Sequence, residues 1–242
     1  FFTCHHRLFL FILSILPGKS NCFPLLDSGW QKRYHEHNKS KGGSFMSQKM
    51  ETRCVHGGEH RFPDGRDSIS MPIYQTATFA HPDLGHSPDR FYYTRLTNPT
   101  RNHLEETVSS LEGAANTVAF SSGMAAITAV FEFFAPGDKI LCSADLYGGT
   151  VLLFDLVSKK NGLQLEFVDT TDPAALASAM RADVKAIYIE TPSNPMMNVT
   201  DIRLCADLAK KAGALLIVDN TFLSPYFQNP LALGADIVVH SG

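Results

Sequence analysis

Apolar and polar positions follow two alternating patterns from residue 101 to residue 242. In the segment RNHLEETVSSLEG, Leu104, Val108 and Leu111 recur at helical spacing, and Gly113 ends the pattern. Short apolar segments such as KILCS, AIYI and LLIV lie between the helical ones, as is typical of strands buried in a parallel sheet. This alternation predicts an α/β fold in which a mostly parallel sheet carries helices on both faces.

Turn residues mark the boundaries of most predicted elements. Asn161 and Gly162 end an amphipathic helix, and another helix begins at Asp201 and ends before Gly213. Together with the segment RNHLEETVSSLEG, the predicted helices are MAAITAVFEFF, GTVLLFDLVSKKNG, PAALASAMRA and DIRLCADLAKKAG, and the predicted strands are NTVAF, DKILCS, LQLEFVD, VKAIYIE, ALLIVDN and ADIVVHS.

The first hundred residues do not share this pattern. Residues 51–100 are rich in Gly, Pro, Asp and aromatic side chains, which predicts an extended arm or loop region. Within residues 1–45, the segment LFLFILSIL follows Arg7 and resembles the apolar region of a secretory signal. The codons for KGGSF, directly before Met46, can also contain a ribosome-binding site and its spacer. We favour the hypothesis that residues 1–45 are a conceptual translation of upstream sequence and that the protein begins at Met46; a secretory leader is the alternative.

Composition narrows the classes of function. The formal net charge of −3 gives no reason to expect nucleic acid or an anionic membrane as a partner. The five cysteines, at positions 4, 22, 54, 142 and 205, lack the spacing of metal ligands or of redox pairs. We therefore expect reduced thiols, no metal site and a cytoplasmic location.

Polar and small residues follow the predicted strands at their carboxyl ends. Ligands of open parallel sheets bind in the crevice outside this edge, so candidate chemistry is sought there. The segments at this edge are 121–124, 144–150, 190–195, 219–221 and 240–242.

Three of these segments contain candidate ligand-binding residues. Gly123 lies where a strand turns into a helix, and the amides at such a helix start favour a phosphate; a tight turn without a ligand is the alternative. Asp219 ends an apolar strand and is suited to a cationic ring nitrogen, although a helix cap or salt bridge would also explain it. Tyr147 precedes two glycines and suits stacking on a planar ligand, with core packing as the alternative.

A fourth candidate lies in the arm. The segment YYTRLTNPT places Arg95 close to Tyr93, a pair that suits a phosphate or a carboxylate, although a solvated surface arginine is the alternative. A phosphate-binding turn, a stacking ring and a buried carboxylate together describe a site for a phosphorylated aromatic cation. Pyridoxal 5'-phosphate fits that description, with a carboxylate for its ring nitrogen and a lysine for its aldehyde.

Several segments resemble one family closely. The segments YTRLTNPTRNHLEETVSSLEG, AFSSGMAAI, DLYGGT, ETPSNP and VDNTFLSPYFQNPLALGADIVVHS are similar to those of the Cys/Met-metabolism enzymes that depend on pyridoxal phosphate. This family includes cystathionine γ-synthase, cystathionine β- and γ-lyases, methionine γ-lyase and O-acylhomoserine sulfhydrylases. The resemblance runs from about Thr52 to Gly242 and implies an aminotransferase-like large domain of fold type I, preceded by an N-terminal arm.

The resemblance implies a role for each candidate at the carboxyl edge. The amides of Gly123 and Met124 and the hydroxyl of Ser241 are expected to bind the cofactor phosphate. Asp219 is expected to keep the ring nitrogen protonated, and Tyr147 to stack on the ring and assist proton transfer.

Two further implied roles concern the ring oxygen and the subunit boundary. Asn194 is expected near the phenolic oxygen of the ring. Tyr93 and Arg95 are expected to bind the phosphate in the neighbouring subunit, which implies a homodimer or homotetramer. The expected division of the chain is translated upstream sequence or a leader at 1–45, an arm at 46–100 that contacts the neighbour, and a cofactor-binding domain at 101–242 that is truncated before the catalytic lysine.

The resemblance also predicts the activity. Family members eliminate or replace groups at the β- or γ-carbon of sulfur amino acids or activated homoserine. In the family, one small residue and then Thr-Lys follow the strand DIVVHS, so we expect a fragment without the Schiff-base lysine or the C-terminal domain. A catalytically inactive cofactor-binding relic, or pseudogene product, is the alternative. Methionine γ-lyases usually have Cys where this chain has Gly149, which argues mildly against that activity.

Overall fold

The computed structural model describes residues 11–15, 48–57, 70–80 and 91–242. The strands are β1 (Phe11–Ile15), β2 (Asn116–Phe120), β3 (Lys139–Ser143), β4 (Gln164–Val168), β5 (Val184–Glu190), β6 (Leu215–Asp219) and β7 (Ile237–Ser241). The helices are α1 (Met50–His56), α2 (Pro99–Glu112), α3 (Gly123–Phe131), α4 (Gly148–Asn161), α5 (Pro173–Ala179), α6 (Ile202–Ala212) and α7 (Ser224–Phe227), and a 3₁₀ turn spans Leu231–Leu233.

The seven strands form one sheet in the order β2-β1-β7-β6-β5-β3-β4. Strands β3 to β7 pair in parallel, whereas β1 is antiparallel to both of its neighbours, β2 and β7. The pairing places Phe120 and Ser241 on either side of Phe11, so that β2 and β7 run in the same direction and end at the same level. The predicted fold class, a mostly parallel sheet in an α/β domain, is confirmed.

Helices cover both faces of the sheet because the central strands are apolar on both sides. On one face, the rings of Phe131 from α3, Phe154 from α4 and Tyr188 from β5 pack together, with centroids 4.4 to 5.7 Å apart. On the other face, Leu176 from α5 and Cys205 from α6 are fully buried against the sheet. Both faces are therefore hydrophobic cores, and the polar side chains are left to the strand ends.

The helix boundaries follow the capping residues of the sequence. The side chains of Asn98, Ser122, Asp172 and Asp201 accept backbone N–H groups at the starts of α2, α3, α5 and α6. At the other end of α6, Gly213 adopts a left-handed conformation with φ of 69° and ends the helix. These local signals explain why the predicted elements between residues 99 and 242 are all present.

Two predictions about local structure are wrong. The apolar helix ends at Phe131, because Phe133 and Phe134 donate to carbonyl groups three residues back and Pro136 follows. The arm is not irregular throughout, because α1 forms within it and packs against α2, where the Arg53 side chain donates to the carbonyl of Ser110. The contact with α2 stabilises a seven-residue helix that has no periodic signal of its own.

The hypotheses about residues 1–45 stay predictions. Of these residues, only strand β1 is described, and the other positions lie outside the described residues. None of the helices that the structure describes is both long enough and apolar enough to cross a membrane. The cysteines among the described residues, Cys54, Cys142 and Cys205, form no disulfide with one another.

The contribution of the Asp201 cap to the stability of α6 can be tested by mutation. Replacing Asp201 with Ala removes the acceptor for the amides of Arg203 and Leu204, which lie 2.9 and 3.2 Å from Asp201 Oδ1. We expect the free energy of unfolding to fall by about 1 kcal/mol in a urea titration. Asp207→Ala removes the same charge from an exposed position inside the helix and should change it by less than about 0.5 kcal/mol. Equal losses in the two variants would rule out capping as the cause.

Candidate active site

The candidate site lies at the carboxyl edge of the sheet, where the parallel strands end. Ser143, Glu190, Asp219 and Ser241 are the last residues of β3, β5, β6 and β7. Because β2 ends level with β7, the turn into α3 is brought to the same edge. The edge therefore brings together segments that are up to 120 residues apart in the chain.

The turn into α3 has the form of an anion-binding site. Ser122 caps the helix by accepting the amide of Ala125 at 3.0 Å, and Gly123, the first helical residue, is buried. Gly123 and Met124 lie in the first turn, whose amides have no carbonyl partner within a helix and carry the positive end of its dipole. A nine-residue helix that begins at a strand end thus offers donors to a phosphate.

Asp219 is a carboxylate buried at the end of a central strand, with only 7% of its surface exposed. Its Oδ1 accepts the amide of Thr221 at 3.0 Å and the hydroxyl of Thr221 at 2.6 Å, and the hydroxyl of Tyr188 donates to Oδ2 over 3.4 Å. Burial raises the pKa of Asp219, while the Thr221 hydrogen bonds and the electrostatic interaction with His240 act in the opposite direction. Among the described residues, no lysine or arginine forms an ion pair with it, and it caps no helix.

Thr221 connects two of the predicted site residues and was given no role in the sequence analysis. Its hydroxyl donates to Asp219 and accepts the backbone amide of Ser241 at 3.0 Å. One hydroxyl therefore fixes the carboxylate of β6 relative to the end of β7. The Asp-x-Thr spacing, which is typical of a turn closed by side-chain hydrogen bonds, is the signal that could have revealed it.

Tyr147 stands at the start of α4 with half of its surface exposed, so the structure does not support the alternative of a core residue. A Cβ atom added at Gly149 would lie 2.5 Å from its ring. The absence of a side chain at this position therefore lets the ring take its place beside the helix start, where it is accessible to a ligand.

Glu190 holds the loops that carry Tyr147 and Asn194. Its Oε2 accepts the amide of Tyr147 at 2.8 Å, and its Oε1 accepts the amide of Asn194 at 2.9 Å. The side chain is 6% exposed, and burial is the main cause that raises its pKa to about 7, with smaller contributions from the charges of Asp219 and Asp145. The sequence analysis noted Glu190 only as a residue of the edge.

A polar cavity of about 310 Å³ adjoins the edge between β3, β4 and β5. Ser143, Thr170 and Thr200 contribute a chain of hydroxyl groups, with oxygen–oxygen distances of 3.0 and 2.8 Å. Within the part of the chain that the structure describes, no three His, Cys, Asp or Glu side chains are placed to hold a metal ion. The cavity is lined by groups that can take part in hydrogen bonds.

His240 and Glu112 form a buried pair that sequence reasoning missed. Nε2 of His240 lies 2.5 Å from Oε1 of Glu112, and both side chains are almost completely buried. The pair joins the end of α2 to β7, directly before Ser241. A separation of 128 residues left no local signal for this contact.

Tyr93 and Arg95 lie together in the arm. The Arg95 guanidinium is 5.2 Å from the centroid of the Tyr93 ring, and Tyr93 forms a β-bridge with Thr78. Arg95 is exposed, and within the described residues no side-chain hydrogen bond or ion pair joins Tyr93 or Arg95 to the residues of the carboxyl edge. Their action on a neighbouring subunit stays a prediction.

A mostly parallel sheet that brings buried acids and a helix start to its carboxyl edge is typical of an α/β ligand-binding domain. Residues 51–242 match the family described as Cys/Met metabolism PLP-dependent enzyme. The chain belongs to this family, which uses pyridoxal 5'-phosphate as its cofactor, and the resemblance found in the sequence is thereby confirmed.

Individual relatives differ in their reactions. The chain is 49% identical to a cystathionine gamma-lyase of Bacillus subtilis over 193 residues, which are 80% of this chain and 50% of the relative. It is 46% identical to a cystathionine beta-lyase of Lactococcus lactis over 79% of this chain and 50% of the relative. The crystal structure of a cystathionine gamma-lyase from Lactobacillus plantarum complexed with L-serine is similar with a TM-score of 0.74 at 44% identity, over 80% and 50% of the two chains. The chain thus spans about half the length of these relatives.

The bridging role of Thr221 can be tested by unfolding. Thr221→Val keeps the shape of the side chain but removes the hydroxyl that joins Asp219 to the Ser241 amide. We expect a loss of about 1–3 kcal/mol in the free energy of unfolding, because a buried carboxylate loses a donor. Thr221→Ser keeps the hydroxyl and should lose less than half as much. If the two variants unfold alike, the hydroxyl bridge does not contribute to stability.

Proposed function

We propose that the protein is a pyridoxal-phosphate enzyme of sulfur amino acid metabolism, which eliminates or replaces groups at the β- or γ-carbon of sulfur amino acids or activated homoserine. The observation that carries this proposal is the buried Asp219 at the end of β6. Burial raises its pKa, no lysine or arginine of the described residues forms an ion pair with it, and a protonated pyridine nitrogen would supply a counter-charge. The names of the relatives support the reaction class and leave the particular reaction open.

The donors at the edge suit the phosphate of the cofactor. The amides of Gly123 and Met124 in the first turn of α3 would bind it, together with the hydroxyl of Ser241, which is exposed at the end of β7. The Thr221 hydroxyl, hydrogen-bonded to both the Asp219 carboxylate and the Ser241 amide, would fix the carboxylate for the ring nitrogen relative to the Ser241 hydroxyl for the phosphate. These residues fit both charged ends of the cofactor.

Two other side chains would contact the ring. Tyr147 is exposed beside the edge and would stack on the ring, and its phenol would accept or release a proton of the substrate. Asn194 would donate its side-chain amide to the phenolic oxygen of the ring. When bound, pyridoxal phosphate supplies an electron sink for the negative charge that develops at the substrate α-carbon.

Self-association is part of the proposal. Tyr93 and Arg95 are held together in the arm, with the guanidinium exposed, and the resemblance assigns them to the phosphate of a second subunit. A homodimer or homotetramer in the cytoplasm would place them there, with a small amino acid as the substrate. The exposed guanidinium of Arg95 is suited to contact an anionic group bound in the site of a neighbouring subunit.

Binding of pyridoxamine 5'-phosphate tests the cofactor site without a lysine. This amine form of the cofactor keeps the phosphate and the ring nitrogen, and its affinity for the 242-residue chain can be measured by calorimetry. We expect Asp219→Asn to weaken binding about tenfold or more, because the ring nitrogen loses its counter-charge.

The matched control is Asp155→Asn, which removes an exposed charge paired with Lys159 on α4. It should bind as tightly as the unmodified chain. If Asp219→Asn also binds as tightly, Asp219 is a structural residue, and if the unmodified chain does not bind at all, the cofactor site is not formed by these residues.

A further inference from the structure

We propose that Glu190 is a positioning residue, which holds Tyr147 and Asn194 against the cofactor through their backbone amides. The proposal rests on the cofactor site described above and adds a residue that does not itself contact the ligand. Its geometric basis is a buried carboxylate that accepts the Tyr147 amide at 2.8 Å and the Asn194 amide at 2.9 Å, one on each oxygen.

The two amides belong to different loops. Tyr147 ends the loop that follows β3, and Asn194 lies in the loop that follows β5. Tyr147 is the residue before α4, and its side chain does not cap that helix. The Glu190 carboxylate therefore occupies the positive end of a 14-residue helix while it fixes the backbone beside the exposed ring.

A second carboxylate, Asp145, also joins these two loops, but it lies in the loop after β3 and accepts hydrogen bonds from the loop after β5. Asp145, from the loop after β3, accepts the hydroxyl of Ser193 and the amide of Met196, at 3.2 Å, from the loop after β5. Glu190, at the end of β5, accepts from the loop after β3. Asp145 therefore holds the loop after β5, and Glu190 holds both loops through the amides of Tyr147 and Asn194, whose side chains would contact the ring.

The charge state of Glu190 decides how well it can hold both amides. The ionised carboxylate has two good acceptors, whereas protonation converts one oxygen into a hydroxyl that accepts weakly. Burial and the charges of Asp219 and Asp145 raise its pKa to about 7, and the two amides lower it. Asp169 also lines the adjoining cavity. Glu190 therefore loses its negative charge as the pH falls below about 7.

The test compares Glu190→Gln with the unmodified 242-residue chain in binding pyridoxamine 5'-phosphate. At about pH 8.5 we expect the variant to bind about tenfold more weakly, because the glutamine NH₂ group faces an amide donor. At about pH 5.5 the unmodified chain carries a neutral acid, and the two affinities should converge. The comparison cancels the titration of the ligand, which is the same for both proteins.

Asp169→Asn is the matched control. It removes a carboxylate from the same cavity, but Asp169 is exposed and accepts from Thr171 rather than from either loop residue. Its affinity should follow that of the unmodified chain at every pH. A constant ratio of affinities for Glu190→Gln across the pH range, or no loss at all, would overturn the positioning role.

Amide hydrogen exchange separates this proposal from the proposed function. In the ligand-free chain, the amides of Tyr147 and Asn194 should exchange faster in Glu190→Gln than in the unmodified protein. If the variant does not fold, the unmodified chain alone supplies the test, since protection corrected for intrinsic exchange should fall at these two amides between about pH 8.5 and 5.5. Unchanged protection would contradict the clamp. If the unmodified chain does not bind the ligand, the proposed function is contradicted. The exchange experiment would then still show whether Glu190 holds the two amides.

Discussion

Burial of a carboxylate at the end of a central parallel strand is the interaction around which this site is organised. Asp219 loses most of its hydration where β6 ends, and the surrounding groups offset that loss with the amide and hydroxyl of Thr221. The same hydroxyl accepts the backbone amide of Ser241. The group that stabilises the buried carboxylate therefore also fixes the end of β7. A cationic ring nitrogen would complete the set of partners that the carboxylate lacks.

The fold could be predicted from the sequence because its signals are local. Apolar strands alternate with helices over short stretches of chain. Helix boundaries are marked by residues such as Asp201 and Gly213, which cap and end α6 in the structure. The two failures have different origins. The helix α3 ends at Phe131, ahead of Pro136, and α1 packs against α2 through a tertiary contact that no pattern within residues 51–100 predicts.

The candidate residues were predicted in part. Asp219 and Tyr147 stood out because a charge and an aromatic ring follow apolar strands, and the structure places both at the carboxyl edge. Thr221, Glu190 and the pair of His240 with Glu112 were missed, since they act on backbone amides or on each other over long separations. A sequence shows which chemistry is present more readily than what holds it in position.

The acidic residues at the carboxyl edge affect both the stability of the ligand-free site and its binding of a cationic ring. Burial and the nearby charges of Asp219 and Asp145 raise the pKa of Glu190, so the ligand-free edge holds negative charge at a free-energy cost. A bound cationic ring would relieve the repulsion at Asp219 and thereby favour the ionised form of Glu190. Because that form can hold Tyr147 and Asn194 by both amides, binding of the ring and ordering of the residues around it would strengthen each other.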